Sequence, residues 1–412
     1  MTQKRLLVLS PRFLFPLDQG GRIRTANTLR HMKGGAFRIT LLSPAPANAD
    51  RYASETESVC DEFLSWPEPA MSKWQRVLAL AGRLPVAVAS DASKAGSAVV
   101  AAALAERPDA ILVDFPHAAV LLPPRLEVPS IIFTHNVEAE IFARHASVAR
   151  GPMYYIWRDQ ARKMLYFEEN TLRRFQTVIA VSERDARALE KNYGLANVHP
   201  IETGVDTEFY AYHPPQPAPP DGGTVVFTGS MDSRSNIDGI EFLMEEVWPL
   251  VIARRPQARA VIAGRNPPAL LVAAAKSRGF DWTFTGFVDD IRPHVAAAHA
   301  YAIPLRVGSG TRIKVFEAMA MGCPVVSTRL GAEGLDVTDG EHFLAGDTAA
   351  DFAAGLIRLL EDPALQTRLS TAARDLVATR FGWPQVTRRF EQICLDAAAT
   401  SGGTSISQAI RA

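Results

Sequence analysis

Arg312 and Lys314 stand two residues apart, directly after the run Gly308-Ser309-Gly310-Thr311 and at the start of a helical pattern. Ile313, Phe316 and Ala320 form the apolar stripe of that helix at i, i+3 and i+7, and Gly322 with Pro324 ends it. Cations in a first helical turn oppose the helix dipole at about 0.3–1 kcal/mol each, and a bound anion reverses the sign of that cost. The plainer alternative pairs Lys314 with Glu317 at i+3 and leaves Arg312 solvated. Gly20-Gly21, ahead of a helix from Arg22, is a second turn where backbone N–H groups can approach an anion. An ordinary turn explains two adjacent glycines equally well, and the spacing is not that of a dinucleotide-binding fingerprint. The chemistry both places suit is the binding of a phosphate or the stabilisation of an anionic leaving group.

The elements that must position these groups are short apolar strands alternating with helices. LLVLS at 6–10, RITLL at 38–42, AILVD at 110–114, SIIFT at 130–134 and TVIAV at 177–181 are nearly continuously apolar, as parallel strands covered on both faces are. Residues 22–33, 53–64 and 153–174 read as helices between them, with Tyr154, Trp157 and Phe167 of the last expected in the core. A Pro-rich stretch, AYHPPQPAPPDGG at 211–223, interrupts the rhythm. It resumes with TVVFTG at 224–229, ARAVIAG at 258–264, WTFTG at 282–286, YAIPL at 301–305 and PVVST at 324–328. Two α/β halves result: residues 1–205, a hinge at 206–223, residues 224–380, a terminal amphipathic helix at 381–398 and a polar tail from 399 to 412.

The 412 residues carry 44 basic and 44 acidic side chains, so a broadly basic nucleic-acid binder is excluded while a local anion site is not. No apolar run reaches the ~18 residues of a membrane-spanning helix, and the opening MTQKRLLVLSPRF reads as a strand rather than a secretory leader. Cys60, Cys323 and Cys394 have no metal-ligand spacing and suit a reducing cytoplasm. Asp289-Asp290 reads as helix capping rather than as a metal site. His117, His294 and His299 fall on helical patterns and read as structural.

The run Gly310-Thr311-Arg312-Ile313-Lys314-Val315-Phe316-Glu317-Ala318-Met319-Ala320-Met321-Gly322-Cys323-Pro324-Val325-Val326 resembles the donor motif of retaining glycosyltransferases of the GT-B type, family four. Thr134-His135-Asn136-Val137-Glu138 is similar to the family's His-bearing turn. Val181-Ser182-Glu183, Thr203-Gly204-Val205-Asp206 and Phe227-Thr228-Gly229-Ser230-Met231-Asp232 are similar to further segments, so the likeness spans nearly the whole chain. It implies two Rossmann-like doubly wound domains facing across a cleft, with the terminal helix crossing back to the first. It implies a retaining, metal-independent enzyme moving a sugar from a nucleotide-diphosphate sugar to an acceptor hydroxyl in glycan, lipid-linked or polysaccharide assembly. No further cofactor and no nucleic acid is implied. A non-catalytic nucleotide-sugar-binding subunit is the alternative.

Carried over residue by residue, the resemblance implies that Glu317 accepts from the nucleotide ribose and that His135 orients the donor sugar. It puts Gly20-Gly21 at the diphosphate and Gly286-Phe287-Val288 at the base. Arg312 and Lys314 would meet the leaving charge; Gly229, Ser230, Gly264, Gly310 and Thr311 complete the donor surface. Ser309 stands where the family commonly has a glutamate, and of its basic pair after the first donor-domain strand only Arg234 is a candidate. Arg22, Arg24, Arg144 and His145 are candidates for the acceptor side. Residues 71–84, with Trp74, Val77 and Leu78 beside Lys73, Arg76 and Arg83, are compatible with docking at the inner face of a membrane; packing on their own domain is the simpler expectation.

Overall fold

The computed structural model describes residues 3–307 and 313–400. The chain divides into two units: Met1–Glu202 with Val386–Ala412, and Thr203–Gln385.

The first unit is built on seven strands, β1 (Lys4–Leu9), β2 (Phe37–Ala45), β3 (Glu62–Pro67), β4 (Ala110–Asp114), β5 (Ser130–Phe133), β6 (Thr177–Ala180) and β7 (Val198–Pro200). All pair in parallel, in the order β3-β2-β1-β4-β5-β6-β7. Every residue of β4, β5 and β6 is buried, which is why those segments are apolar throughout rather than alternating. Its helices include α1 (Gly20–Met32), α2 (Lys73–Leu80), α3 (Glu138–Val148) and α4 (Pro152–Leu172).

The second unit carries β8 (Gly222–Thr228), β9 (Gln257–Ala263), β10 (Trp282–Gly286), β11 (Ala300–Ile303), β12 (Val325–Ser327) and β13 (Leu344–Ala345), all parallel, in the order β10-β9-β8-β11-β12-β13. Helix α5 (Arg234–Phe242) follows β8, and α6 (Ile313–Ala320) lies between β11 and β12. The strand order reverses between β1 and β4 in one sheet and between β8 and β11 in the other. At such a switch point the loops leave in opposite directions and open a crevice at the carboxyl ends of the strands.

The last helix, α7 (Trp383–Ala399), begins in the second unit and from Val386 belongs to the first. There Phe390 packs edge-on against Phe133 of β5 at 5.1 Å, and the Glu391 carboxylate accepts from the Ala36 N–H at 2.8 Å.

Several segments depart from the sequence reading. The helix expected at 53–64 stops at Glu57, and residues from Glu62 form edge strand β3 against β2. That pairing outweighs local helix preference, and the edge position tolerates Pro67. The Pro-rich stretch falls inside the second unit rather than between the two. Buried Arg255 ties it down by donating to the carbonyls of Pro219 (2.7 Å) and Gly222 (2.9 Å). Tyr154, Trp157 and Phe167 of α4 are partly exposed or exposed rather than core. His299 sits in the bend before β11 instead of on a helix, its Nδ1 accepting from the Thr224 N–H at 3.0 Å. Burial lowers its pKa. No residue of α2 is buried, and it meets its own domain at its end, where Lys163 of α4 donates to the Leu80 carbonyl.

Candidate active site

In the second unit the loops leaving β8, β9 and β10 converge with α6. Thr228, Gly229 and Ser230 follow β8, Gly264 and Arg265 follow β9, and Phe287, Val288 and Ile291 follow β10; with Lys314 and Glu317 they line a pocket of about 320 Å³. Gly264 is required by close approach, since a Cβ there would overlap the carbonyl oxygen of Gly229. The Lys314 ammonium donates to the Thr228 carbonyl (3.3 Å) and to Asn236 Oδ1 (3.2 Å) and sits 4.4 Å over the Phe227 ring. Arg265 is a second cation of this pocket, held by Asp232 at 2.7 Å and Ser230 Oγ at 3.1 Å. Glu317 Oε1 accepts from the Tyr210 hydroxyl at 3.0 Å. Burial raises the Glu317 pKa, while Tyr210 and then Lys314 pull it back. Asp290 is engaged by Arg292, accepting from its backbone N–H at 2.9 Å and its guanidinium at 2.7 Å.

In the first unit His135, just past β5, stacks on Phe115 at 3.9 Å with the ring planes 6° apart. Its Nε2 lies 2.6 Å from Asp114 Oδ1 and its Nδ1 lies 3.2 Å from a guanidinium nitrogen of Arg24. A guanidinium only donates, so Nδ1 must accept and the proton resides on Nε2, donated to Asp114. Burial is the largest influence on the His135 pKa and, together with Arg24, lowers it against the opposing effect of Asp114, which fits the neutral ring. Burial also lowers Arg24, to about 10. Thr25 Oγ1 donates to the same Asp114 carboxylate at 3.0 Å. Gly21 passes so close that a Cβ would meet the Phe115 ring at 2.9 Å. Helix α1 starts at Gly20 without a side-chain cap and without an acidic residue in its first turn, leaving its amino-terminal dipole uncompensated.

Helix α3, which follows His135, is anchored from outside. Glu168 of α4, fully buried, accepts from the N–H groups of Glu138 (2.8 Å) and Ala139 (3.0 Å) and from the Tyr193 hydroxyl (2.6 Å). It is an N-cap supplied from another helix, and burial raises its pKa to about 6.

Residues 19–209 match the family described as Glycosyltransferase Family 4, and residues 222–362 match Glycosyl transferases group 1. The phosphatidyl-myo-inositol mannosyltransferase of Mycobacterium leprae is 30% identical over 272 residues, covering 62% of this chain and 70% of that protein. This chain belongs to glycosyltransferase family 4. The D-inositol 3-phosphate glycosyltransferase of Nocardiopsis dassonvillei is a more distant relative of this glycosyltransferase, 25% identical over 65% of the chain and 64% of that protein. Its fold is of the GT-B type: it matches a sucrose-phosphate synthase from Thermosynechococcus elongatus with a TM-score of 0.66 at 16% identity, over 97% of this chain and all of that one. It also matches the Anabaena protein HepE, solved with UDP and glucose, with a TM-score of 0.63 at 15% identity, over 96% of this chain and all of HepE.

Of the residues singled out from the sequence of this glycosyltransferase, Gly229, Ser230, Gly264, Phe287, Val288, Lys314 and Glu317 line one pocket. Gly21 and Arg22 line another in the first unit, with Gly20 beside them and Arg24 and His135 bonded to each other. Ser309, Gly310, Thr311 and Arg312 lie outside the described residues. Arg234, the first residue of α5, is exposed and does not line the donor-side pocket. Arg144 and His145 lie on the exposed surface of α3, where His145 stacks on Trp157 at 4.6 Å, and line neither pocket. Arg265, Tyr210 and Glu168 were not legible from spacing, because each meets its partner across the fold rather than along a motif.

Proposed function

We propose that this glycosyltransferase is a retaining, metal-independent enzyme. It would move a sugar from a nucleotide-diphosphate sugar to a hydroxyl of a glycan or lipid-linked acceptor. The observation that carries this reading is the convergence of Lys314, Arg265 and Glu317 in one pocket at the switch point of the second sheet. Breaking a sugar–diphosphate bond builds negative charge on the phosphate oxygen, and a fixed ammonium in a partly desolvated pocket meets it. Glu317 offers carboxylate oxygens to vicinal ribose hydroxyls. Phe287, 72% exposed, lines the same pocket and supplies an aromatic ring on which a base would stack. Metal independence is supported by the engagement of Asp290 with Arg292. Retention is supported by His135, whose two nitrogens are both occupied. It orients rather than takes a proton, which leaves the departing phosphate as the base for the acceptor hydroxyl.

Titration with UDP, GDP, ADP and dTDP and the matching nucleosides tests the reading. Replacing Arg312 and Lys314 with Ala should weaken diphosphates far more than nucleosides. Glu317→Ala should cost about 1.5–3 kcal/mol of donor binding. Transfer should survive EDTA, and the product should keep the donor's anomeric configuration by NMR. Equal losses for nucleoside and diphosphate, rescue of an EDTA-treated enzyme by added Mg²⁺ or Mn²⁺, or an inverted product would each sink the corresponding part.

We also infer a peripheral membrane contact through α2, at the cytoplasmic face where anionic headgroups attract basic segments. Trp74 is 80% and Leu78 74% exposed, with Val77 beside them. Lys73, Arg76 and Arg83 flank this apolar face, and Tyr155 and Tyr166 of α4 are also exposed. Lys163 donates to the Leu80 carbonyl at 2.6 Å, linking α4 to the end of α2. An aromatic–aliphatic face with a basic rim fits an anionic bilayer surface.

A further inference from the structure

Just after the chain enters the second unit, a turn at 206–210 reaches two walls of the donor-side pocket without lining it. The turn is fixed locally. Asp206 Oδ1 accepts from the N–H groups of Glu208 (3.1 Å) and Phe209 (2.8 Å), and the Tyr210 N–H donates to the Asp206 carbonyl at 2.8 Å. An aspartate that closes a turn in this way leaves the residues after it little backbone freedom. The Phe209 and Tyr210 rings meet edge-on, 5.0 Å apart with their planes at 89°.

Phe209 grips one wall. The Arg292 guanidinium lies 3.8 Å over its ring and donates to its carbonyl at 3.1 Å. The same guanidinium forks onto Asp290, at 2.9 Å from Oδ1 and 2.7 Å from Oδ2. Asp290 stands in the loop after β10, between Val288 and Ile291, which line the pocket. An exposed ion pair alone fixes little. An arginine whose edge meets a carboxylate and a carbonyl while its face meets a ring is held in one orientation. Phe209 is 47% exposed, so core packing does not account for this contact. Tyr210 grips the other wall, its hydroxyl donating to Glu317 Oε1 at 3.0 Å.

We propose that the turn at 206–210 is a clasp for the nucleoside half of the donor, with Phe209, Tyr210 and Arg292 as positioning residues. Tyr210 aims the Glu317 carboxylate at the ribose, and Arg292 on Phe209 holds the loop of Phe287 and Val288 at the base. Because adjoining residues of one rigid turn hold both walls, the spacing between base and ribose contacts is set by the turn, and the two are read together. This rests on the nucleotide-sugar reading and deepens it.

Calorimetric titration of the full chain with UDP, GDP and ADP, with the 2′-deoxy form of whichever binds tightest, and with inorganic pyrophosphate tests the clasp. The parent should prefer the ribose form, since the deoxy form lacks a hydroxyl for Glu317. Tyr210→Phe should narrow that preference at least about threefold, and so should Arg292→Ala and Phe209→Leu, although neither residue touches Glu317. Pyrophosphate affinity should change less than about twofold in all three. Arg292→Lys keeps the charge but loses the fork and the flat face, so it should behave as Arg292→Ala does. Phe209→Leu keeps apolar bulk and carries the test should Arg292→Ala not fold. A ribose preference unchanged in Arg292→Ala or Phe209→Leu, a parent without one, or pyrophosphate weakened as much as the nucleotide would overturn the clasp. Failure of every nucleoside diphosphate to bind the parent would instead overturn the donor reading, so the two failures are distinguishable.

Discussion

Glu168 shows how one buried carboxylate positions a site it does not touch. It holds the first N–H groups of α3, which carries Glu138, and it binds Tyr193. Its pKa is raised from 4.5 to about 6, burial outweighing the three hydrogen bonds. A carboxyl whose folded pKa is raised holds its proton more tightly folded than unfolded, so its charge costs stability above pH 6, and that cost is relieved as pH falls toward 4.5. Glu168→Gln removes the titration. Its stability relative to the parent should therefore be more favourable at pH 7 than at pH 4.5, by about 2 kcal/mol in urea melts. A difference independent of pH would refute the assignment. Glu168→Leu should cost about 2–4 kcal/mol at either pH, because two N–H groups and a hydroxyl lose their acceptor. Tyr210 acts comparably on Glu317: Tyr210→Phe should raise the apparent KM for donor several-fold with little change in kcat. A KM equal to the parent's would show that the Glu317 carboxylate keeps its orientation unaided.

At the scale of elements, legibility depends on how local each constraint is. Lys314 and Glu317 sit on one turn of α6 behind a glycine run, so strand, loop and helix are readable in order along the chain. The parallel strands are equally legible, because burial on both faces leaves a continuous apolar run. Edge strand β3 was not, since half of it faces solvent and its register comes from β2. Nor could the sequence choose between packing and exposure for α2, because amphipathicity states that an apolar face exists and not what covers it. The exposed face leads to a direct expectation: Trp74→Ala with Leu78→Ala should reduce cosedimentation with phosphatidylglycerol vesicles at least about tenfold, each lost side chain being worth roughly 1.5–3 kcal/mol of burial. Cosedimentation equal to the parent's would remove α2 from any membrane contact. At the β8–β9 crossing, Gly264→Ala should abolish nucleoside-diphosphate binding, since its Cβ would overlap the Gly229 carbonyl.

Across the whole molecule the chain end returns to the unit in which the chain begins. Phe390, far along the chain from Phe133, completes the core around β5. Phe390→Ala should therefore destabilise the first unit by about 3–5 kcal/mol, seen as faster hydrogen exchange of the β4–β6 amides. Unchanged exchange there would deny α7 that role. The sequence by itself determined the alternation of strand and helix, the doubling of that pattern, and the residues of the donor motif. Each of these is written in spacing over a few to a few tens of residues. Only the tertiary structure decided that Arg265 joins Lys314, that Glu168 caps α3, and that Phe209 and Tyr210 of one turn meet Arg292 and Glu317. Those residues lie on helices and turns far apart along the chain, and the packing of these segments around the two parallel sheets, not spacing in the sequence, brings their side chains together.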